Sequence, residues 1–202
     1  TGAFMVHVST DYVFDGTAIK AYTESDPISP NSVYGGTKAE GESFVEKSGA
    51  DYVTLRTAWV FSEYGNNFVK TMLRLGQDRN EIGVVSDQYG GPTYAGDLAQ
   101  AIITIIEKKS ENNEINSGVY HYCGFPMTNW AGFAREIFTQ ADKLDMIPHA
   151  VLVNDITTAE YPTPAVRPAY SMMSCEKIKE NFEDINLSDW QSALQNIIGR
   201  IK

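Results

Sequence analysis

Apolar segments with the length and composition of β-strands alternate with segments of helical periodicity along the chain. An apolar run at residues 1–9 precedes a turn-rich loop, and a helix is predicted over Val33–Lys47. The remaining predicted strands lie at Tyr52–Thr57 and at residues 82–85, 119–123 and 150–153. Strands separated by helices form parallel sheets that helices cover on both faces. The sequence therefore predicts an α/β fold built on a doubly wound parallel sheet.

Three of the predicted helices begin at residues that can cap a helix. Thr93 and Asn129 are the expected N-cap residues of two of them. The apolar stripe that begins at Trp130 is predicted to face the core of the protein. Ser188 and Gln191 have the spacing of a capping box, which predicts the start of the last helix.

Charge and composition argue against two classes of partner. The 202 residues carry a formal net charge of −10, whereas binding to nucleic acid phosphates needs a basic surface. A small anionic ligand needs only a local cationic group or a helix start, so it is compatible with this charge. No apolar run is long enough to cross a bilayer, and Cys123 and Cys175 suit a reducing compartment better than a disulfide framework. These features predict a cytoplasmic protein without a membrane partner.

Tyr34 and Lys38 have the spacing that most directly indicates chemistry. They lie four positions apart at the start of a predicted helix, so both side chains share one face. A free tyrosine has a pKa of about 10. A nearby ammonium group favours the phenolate and makes the phenol a better proton donor near neutral pH. Tyr34 could then protonate a carbonyl oxygen whose carbon receives a hydride. Alone the pair is weak evidence, because an exposed tyrosine and a solvated lysine commonly share a helix face.

Hydroxyl and aromatic groups follow the two predicted strands that flank this helix. Ser9 and Thr10 end the first strand, and Trp59 comes just after the strand Tyr52–Thr57. In open α/β sheets, ligands bind beyond the carboxyl ends of the strands, where these side chains would lie. The hydroxyls could instead terminate a strand, and the tryptophan could belong to the core. Together with Tyr34, they predict a ligand site at this edge of the sheet.

Six motifs occur in an order and at intervals that resemble one known family. They are STDYVFDG at residues 9–16, YGGTK at 34–38, RTAWVF at 56–61, GNNF at 65–68, DQYGGPT at 87–93 and RP at 167–168. Over nearly all its length the chain resembles the dTDP-4-dehydrorhamnose reductase family of the extended short-chain dehydrogenase/reductase superfamily. The resemblance implies a Rossmann-like sheet with a smaller α/β substrate-binding domain. It also implies reduction of the 4-keto group of dTDP-4-dehydro-L-rhamnose to dTDP-L-rhamnose, with NADPH or NADH as cofactor.

The resemblance assigns a role to each matching residue. Tyr34 would donate the proton, Lys38 would hold the nicotinamide ribose and activate Tyr34, and Thr10 would orient the ketone. Ser9 and Thr57, together with Tyr34 and Lys38, would contact the cofactor. The residues implied for the dTDP sugar are Thr10, Asp11, Tyr12, Trp59, Asn67, Gln88 and Arg167.

Arg167 suits a sugar nucleotide because a guanidinium can bind a diphosphate through two parallel hydrogen bonds. A salt bridge on a surface loop is the alternative for this residue. Some relatives bind Mg²⁺ through acidic side chains, but no ligand set in this sequence can be matched to it, so no metal ligands are predicted. The implied partner is a small dTDP sugar, and the resemblance also allows a homodimer.

Other functions stay open at this point. A sugar-nucleotide epimerase of the same superfamily would use the same groups. A dehydratase usually carries an Asp-Glu pair where this chain has Asp11 and Tyr12, which favours simple reduction. A non-catalytic binding subunit, like the regulatory β subunit of methionine adenosyltransferase, shares the fold and similar motifs, and intact Tyr34 and Lys38 do not exclude it.

One element typical of the family has no counterpart in this sequence. Relatives begin with a strand, a glycine-rich turn and a helix that bind the cofactor pyrophosphate, and neither usual glycine spacing occurs here. Residues 1–63 and 94–123 are therefore expected to form the carboxyl-terminal part of a Rossmann-like cofactor domain whose amino-terminal half is absent. Residues 64–93 and 124–202 are expected to form the sugar-nucleotide domain. The 202 residues alone are expected to be inactive.

Overall fold

The structure, a computed structural model, describes residues 2–111 and 114–201. The predicted domain ranges also include residues 1, 112, 113 and 202, which lie outside the described residues. The helices are α1 Val33–Lys47, α2 Phe68–Asp78, α3 Ala95–Ser110, α4 Trp130–Lys143, α5 Glu176–Asn181 and α6 Trp190–Ile197. The strands are β1 Met5–Thr10, β2 Tyr52–Thr57, β3 Val60–Phe61, β4 Glu81–Val85, β5 Tyr89–Gly90, β6 Thr93–Tyr94, β7 Gly118–His121, β8 Thr128–Asn129 and β9 Leu152–Ile156.

Three parallel strands form the largest sheet, in the order β1-β2-β7. In the register of β1 and β2, Thr10 lies opposite Thr57, so the two strands end at the same level. The smaller strand pairs are β3-β6 and β4-β9, which are parallel, and β5-β8, which is antiparallel. Because helices alternate with parallel strands, the predicted α/β class is confirmed. No helix in the described part of the chain is long and apolar enough to cross a lipid bilayer.

Three clusters of buried apolar side chains occur in the described residues, and the two larger ones hold most of these elements together. The larger core lies among α2, α4, α6 and the β4-β9 pair, and it buries Phe133, Ile137 and Leu194 completely. The second core packs Leu55 of β2 against α3, and it also contains Ile178 of α5. The short α5 therefore packs with the three-stranded sheet, although it lies far along the chain from β1 and β2.

A central segment, residues 169–174, runs between the loop after β1 and the strand β5. Tyr22 exchanges two backbone hydrogen bonds with this segment, at 2.9 and 2.7 Å. On its other edge, Tyr89 exchanges two more, both at 2.8 Å. The segment is thus bonded along both edges, and it joins the part of the chain near β1 to the part near β5.

The predicted helix caps are correct in one case and wrong in two. The Asn129 side chain accepts a hydrogen bond from Gly132 N at 2.7 Å, which confirms the predicted cap of α4. Thr93 lies in β6 instead, and α3 begins two residues later, because Thr93 pairs with β3 and its hydroxyl accepts from Gly124 N. The last helix is capped by Asp189, because the Ser188 hydroxyl oxygen accepts a hydrogen bond from Tyr94 N at 3.2 Å and its proton is donated to Asp97.

Candidate active site

The start of α1 brings Tyr34 and Lys38 against the end of β1. Ser32 caps the helix by accepting a hydrogen bond from Gly35 N at 3.1 Å. Only glycine fits at position 35, because a Cβ atom there would lie 2.1 Å from the Tyr12 carbonyl oxygen. The Tyr34 side chain is left 54% exposed. The Lys38 ammonium donates to the Val8 carbonyl oxygen at 2.5 Å, which ties this face of the helix to the strand.

A buried hydroxyl–carboxyl pair lies where β1 ends. Thr10 Oγ1 donates to Asp11 Oδ1 at 2.8 Å and accepts from Tyr12 N at 3.3 Å. Thr10 and Asp11 are both buried. Burial raises the pKa of the Asp11 carboxyl to about 6, although the Ser171 and Thr10 hydroxyls act in the opposite direction. The pair therefore holds a buried carboxyl directly before Tyr12 in the chain, and this carboxyl keeps its proton to a higher pH than an exposed one would.

Tyr12 connects Tyr34 to a residue from the far end of the chain. Its ring packs edge-on against the Tyr34 ring, with centroids 5.5 Å apart. Arg167 Nη1 donates to the Tyr12 hydroxyl at 3.2 Å. Burial raises the pKa of Tyr12, and the positive charge of Arg167 opposes that rise. Three of the residues singled out in the sequence are thus brought together in one row, Arg167, Tyr12 and Tyr34.

A cavity of about 450 Å³ adjoins this row, and Arg167 lines it. Gln88, which was predicted to contact the sugar nucleotide, also lines the cavity and is buried. Its amide donates to Thr158 Oγ1 at 3.0 Å and accepts from Trp130 Nε1 at 3.2 Å. Gln88 therefore fixes the indole of Trp130 and the start of the proline-rich loop that carries Arg167.

Two stacked tryptophans stand beside the cavity. Trp59 and Trp130 lie with ring centroids 3.6 Å apart and an angle of 10° between the rings. Trp59 has a φ of 49°, so its backbone adopts the left-handed conformation, which is uncommon for a bulky residue. Trp130 lines the cavity, although the sequence pattern assigned it to the core stripe of α4. The signal that could have found it is its place at the first turn of α4, where its indole N–H needs a partner.

Of the other predicted site residues, Asn67 and Ser9 have internal hydrogen-bond partners, whereas the Thr57 hydroxyl has none among the described residues. Asn67 caps α2 and donates to the Ser62 carbonyl oxygen at 2.6 Å, so both ends of its amide are used. Ser9 donates its hydroxyl to Glu42 at 2.5 Å. Thr57 Oγ1 is buried at the end of β2 without a hydrogen-bond partner among the described residues. Within residues 2–111 and 114–201, no three His, Cys, Asp or Glu side chains cluster as a metal site would require.

Comparison with known proteins gives the family. Residues 1–202 match the family model of the RmlD substrate binding domain. The chain belongs to this family. A dTDP-4-dehydrorhamnose reductase from Aggregatibacter actinomycetemcomitans is 50% identical over 193 residues, which are 96% of this chain and 65% of that protein. This RmlD-type chain therefore spans just under two thirds of that relative.

Solved structures agree with the fold of the RmlD-type chain. The dTDP-4-dehydrorhamnose reductase from Bacillus anthracis, in complex with NADP, has a TM-score of 0.88 at 36% identity. The corresponding protein from Clostridium acetobutylicum has a TM-score of 0.87 at 40% identity. In both cases the match covers 98% of this chain and 66% of the other. The predicted family resemblance is thereby confirmed.

Proposed function

We propose that the native full-length protein reduces the 4-keto group of dTDP-4-dehydro-L-rhamnose to give dTDP-L-rhamnose. The observation that carries this proposal is the position of Tyr34. It is an exposed phenol whose ring packs against Tyr12, which follows the Thr10–Asp11 pair and accepts a hydrogen bond from Arg167 of the cavity. Relatives that are up to 50% identical carry the name dTDP-4-dehydrorhamnose reductase, which supports the same reaction.

Proton transfer is assigned to Tyr34. Its exposed hydroxyl can reach a ketone oxygen in a bound sugar, and Lys38 lies one turn later on the same helix face. Thr10 is assigned to orient the ketone. Because the Thr10 proton is bonded to Asp11, its hydroxyl must rotate away from Asp11 before it can donate to a substrate oxygen.

The end of the β1-β2 sheet fits the nicotinamide side of a dinucleotide cofactor. Thr57 Oγ1 is a buried polar atom without a partner in the described residues, at the level where β1 and β2 both end. Such an atom can hydrogen-bond to a ligand that covers this edge. Lys38, Tyr34 and Ser9 would contact the same ligand. When bound, the reduced nicotinamide supplies the hydride, and the NADP in the Bacillus anthracis relative favours NADPH.

The cavity fits a sugar nucleotide. Its volume lies in the usual range for small-molecule sites, about 300–1,000 Å³. Arg167 offers a guanidinium for the diphosphate, and Phe68 and Trp130 offer flat aromatic faces for the base or the sugar. All its lining residues come from residues 64–93 and 124–202, which supports the assignment of these ranges to the sugar-nucleotide domain. Residues 1–63 and 94–123 are assigned to the cofactor domain.

We also propose that the protein is located in the cytoplasm, which is a reducing compartment. Cys123 and Cys175 are free thiols whose sulfur atoms lie 3.8 Å apart. Thiols this close would be expected to pair in an oxidising compartment.

Replacement of Tyr34 by Phe tests the reaction directly. In the native full-length protein, oxidation of NADPH in the presence of dTDP-4-dehydro-L-rhamnose is followed by absorbance. Tyr34→Phe should lower kcat by about 10²–10⁴-fold, the usual contribution of a positioned proton donor, with little change in KM. Tyr64→Phe, at an exposed tyrosine in the loop before α2, is the matched control and should retain full activity.

Two outcomes would contradict the proposal. Near-normal turnover in Tyr34→Phe would remove Tyr34 from the reaction. A wild-type protein that binds the dTDP sugar without oxidising NADPH would indicate a binding subunit, and product with an inverted centre but no net reduction would indicate an epimerase.

A further inference from the structure

The helix that carries Tyr34 and Lys38 packs with very few apolar contacts. Of its fifteen residues, Gly35, Glu42 and Val45 are the ones that are buried. Phe44 is 74% exposed, and Val33 at the first turn is exposed as well. A helix on the surface of a sheet normally fixes its rotation with an apolar stripe. Among the described residues, polar contacts therefore contribute most to fixing the rotation of α1.

The strongest of these contacts is a buried ion pair between α1 and β2. Glu42 is 6% exposed and Arg56 is 4% exposed. Arg56 Nε donates to Glu42 Oε1 at 2.9 Å, and Nη2 donates to Oε2 at 2.6 Å, so the guanidinium binds the carboxylate with two parallel hydrogen bonds. Ser9 of β1 adds a third hydrogen bond to Oε1. One carboxylate thus joins α1 to both strands.

Arg56 is itself held in place by aromatic neighbours. Its guanidinium lies 5.1 Å from the centre of the Phe14 ring, and Nη1 lies 3.5 Å from His121 Nε2. Burial, and next the charge of Arg56, lower the pKa of His121 to about 3, so the imidazole is neutral. Its Nδ1 faces the Tyr22 carbonyl oxygen at 3.2 Å and carries the proton, which leaves Nε2 as an acceptor for Arg56.

We propose that Glu42 and Arg56 are positioning residues for Tyr34 and Lys38. Glu42 lies one helical turn after Lys38 and two after Tyr34, so the three share one face of α1. The partners of Glu42 lie directly before the strand ends, with Ser9 preceding Thr10 and Arg56 preceding Thr57. The ion pair therefore sets the rotation of α1 relative to the two strand ends that the reaction uses. This inference rests on the proposed reductase function.

An ion pair suits this purpose better than an apolar contact would. A buried pair adds little net stability over apolar residues of similar size, but it specifies direction. Apolar side chains at both positions could slide past each other, whereas two parallel hydrogen bonds fix both the angle and the depth of α1. The residues that line the cavity lie on other elements, so loss of the pair should affect the proton donor and spare sugar binding.

The test replaces both charges at once, by Glu42→Leu with Arg56→Met in the native full-length protein. The double variant should unfold at a temperature close to that of the wild type, because neither charge is left unpaired. Its kcat should fall by about 10²-fold, the usual effect of a misplacement of about 1 Å, while KM for the dTDP sugar stays within about twofold. The matched control is Arg135→Gln with Asp155→Asn, which removes an exposed ion pair far from α1 and should leave kcat unchanged.

A second measurement does not depend on turnover. Amide hydrogen exchange over Val33–Lys47 should be faster in Glu42→Gln than in wild type, while exchange over Trp130–Lys143 stays the same. Unchanged exchange in α1, or unchanged kcat in a folded double variant, would overturn the positioning role. If the wild type itself shows no turnover, the proposed reaction has failed, and the exchange experiment alone still decides whether the pair fixes α1.

Discussion

Asp11→Asn is predicted to remove a pH dependence from the stability of the protein. The Asp11 carboxyl is buried, and its pKa of about 6 in the folded protein lies above the ordinary value of 3.8. The folded protein therefore holds this proton more tightly than the unfolded chain does. The stabilisation is fully present below pH 3.8 and is lost as the pH rises through about 6. The difference between the two pKa values corresponds to about 3 kcal/mol.

Urea unfolding of wild type and Asp11→Asn, at about pH 4.5 and about pH 7.5, measures this effect. Linkage across that interval predicts that wild type loses about 2 kcal/mol of unfolding free energy relative to the variant as the pH rises. Asp78→Asn, at an exposed position at the end of α2, is the matched control. If the difference between wild type and Asp11→Asn is the same at both pH values, then burial does not govern the protonation of Asp11.

Further predictions concern the ligands of the native full-length protein. Arg167→Ala should raise KM for the dTDP sugar by about tenfold to a hundredfold, the usual contribution of a charge-assisted hydrogen bond, and leave NADPH affinity unchanged; an equal loss for both ligands would indicate misfolding instead. Trp130→Ala should raise KM for the dTDP sugar, because Trp59 loses its stacking partner and Gln88 loses a hydrogen-bond donor. Phe133→Leu, in the buried core, should instead lower the melting temperature. Lys38→Met should weaken NADPH binding in calorimetry, and an unchanged dissociation constant would contradict the contact with the ribose.

The sequence predicted the start of a helix correctly where a neighbouring side chain caps it. The start of α1 follows from the Ser32 cap and that of α4 from the Asn129 cap, and both helices begin where the sequence indicated. At Thr93 and Ser188, residues of the type that caps helices, the predicted N-caps were wrong. Their hydroxyl oxygens accept hydrogen bonds from backbone N–H groups that are distant in sequence, and a cap residue serves its helix only when nothing else competes for its oxygen.

In the candidate site, too, contacts within one helix could be predicted from the sequence, whereas contacts between distant segments could not. The Tyr34–Lys38 pair was visible because both residues lie on one helix, where spacing fixes proximity. The contact of Tyr12 with Arg167 could not be derived from spacing, because two separate loops bring these residues together. Trp130 was assigned to the core because the pattern of α4 shows which face is apolar, but it does not show where that face meets a cavity.

The central segment has a consequence for the kinetics of folding. It is bonded to Tyr22 on one edge and to Tyr89 on the other, so it can be placed only after both of these parts have formed. The row that it supports joins Tyr12 to Arg167, which are 155 positions apart. Contacts of such long range form slowly, because loop closure must come before they contribute. During refolding, the recovery of ligand binding should therefore lag behind the recovery of helical signal.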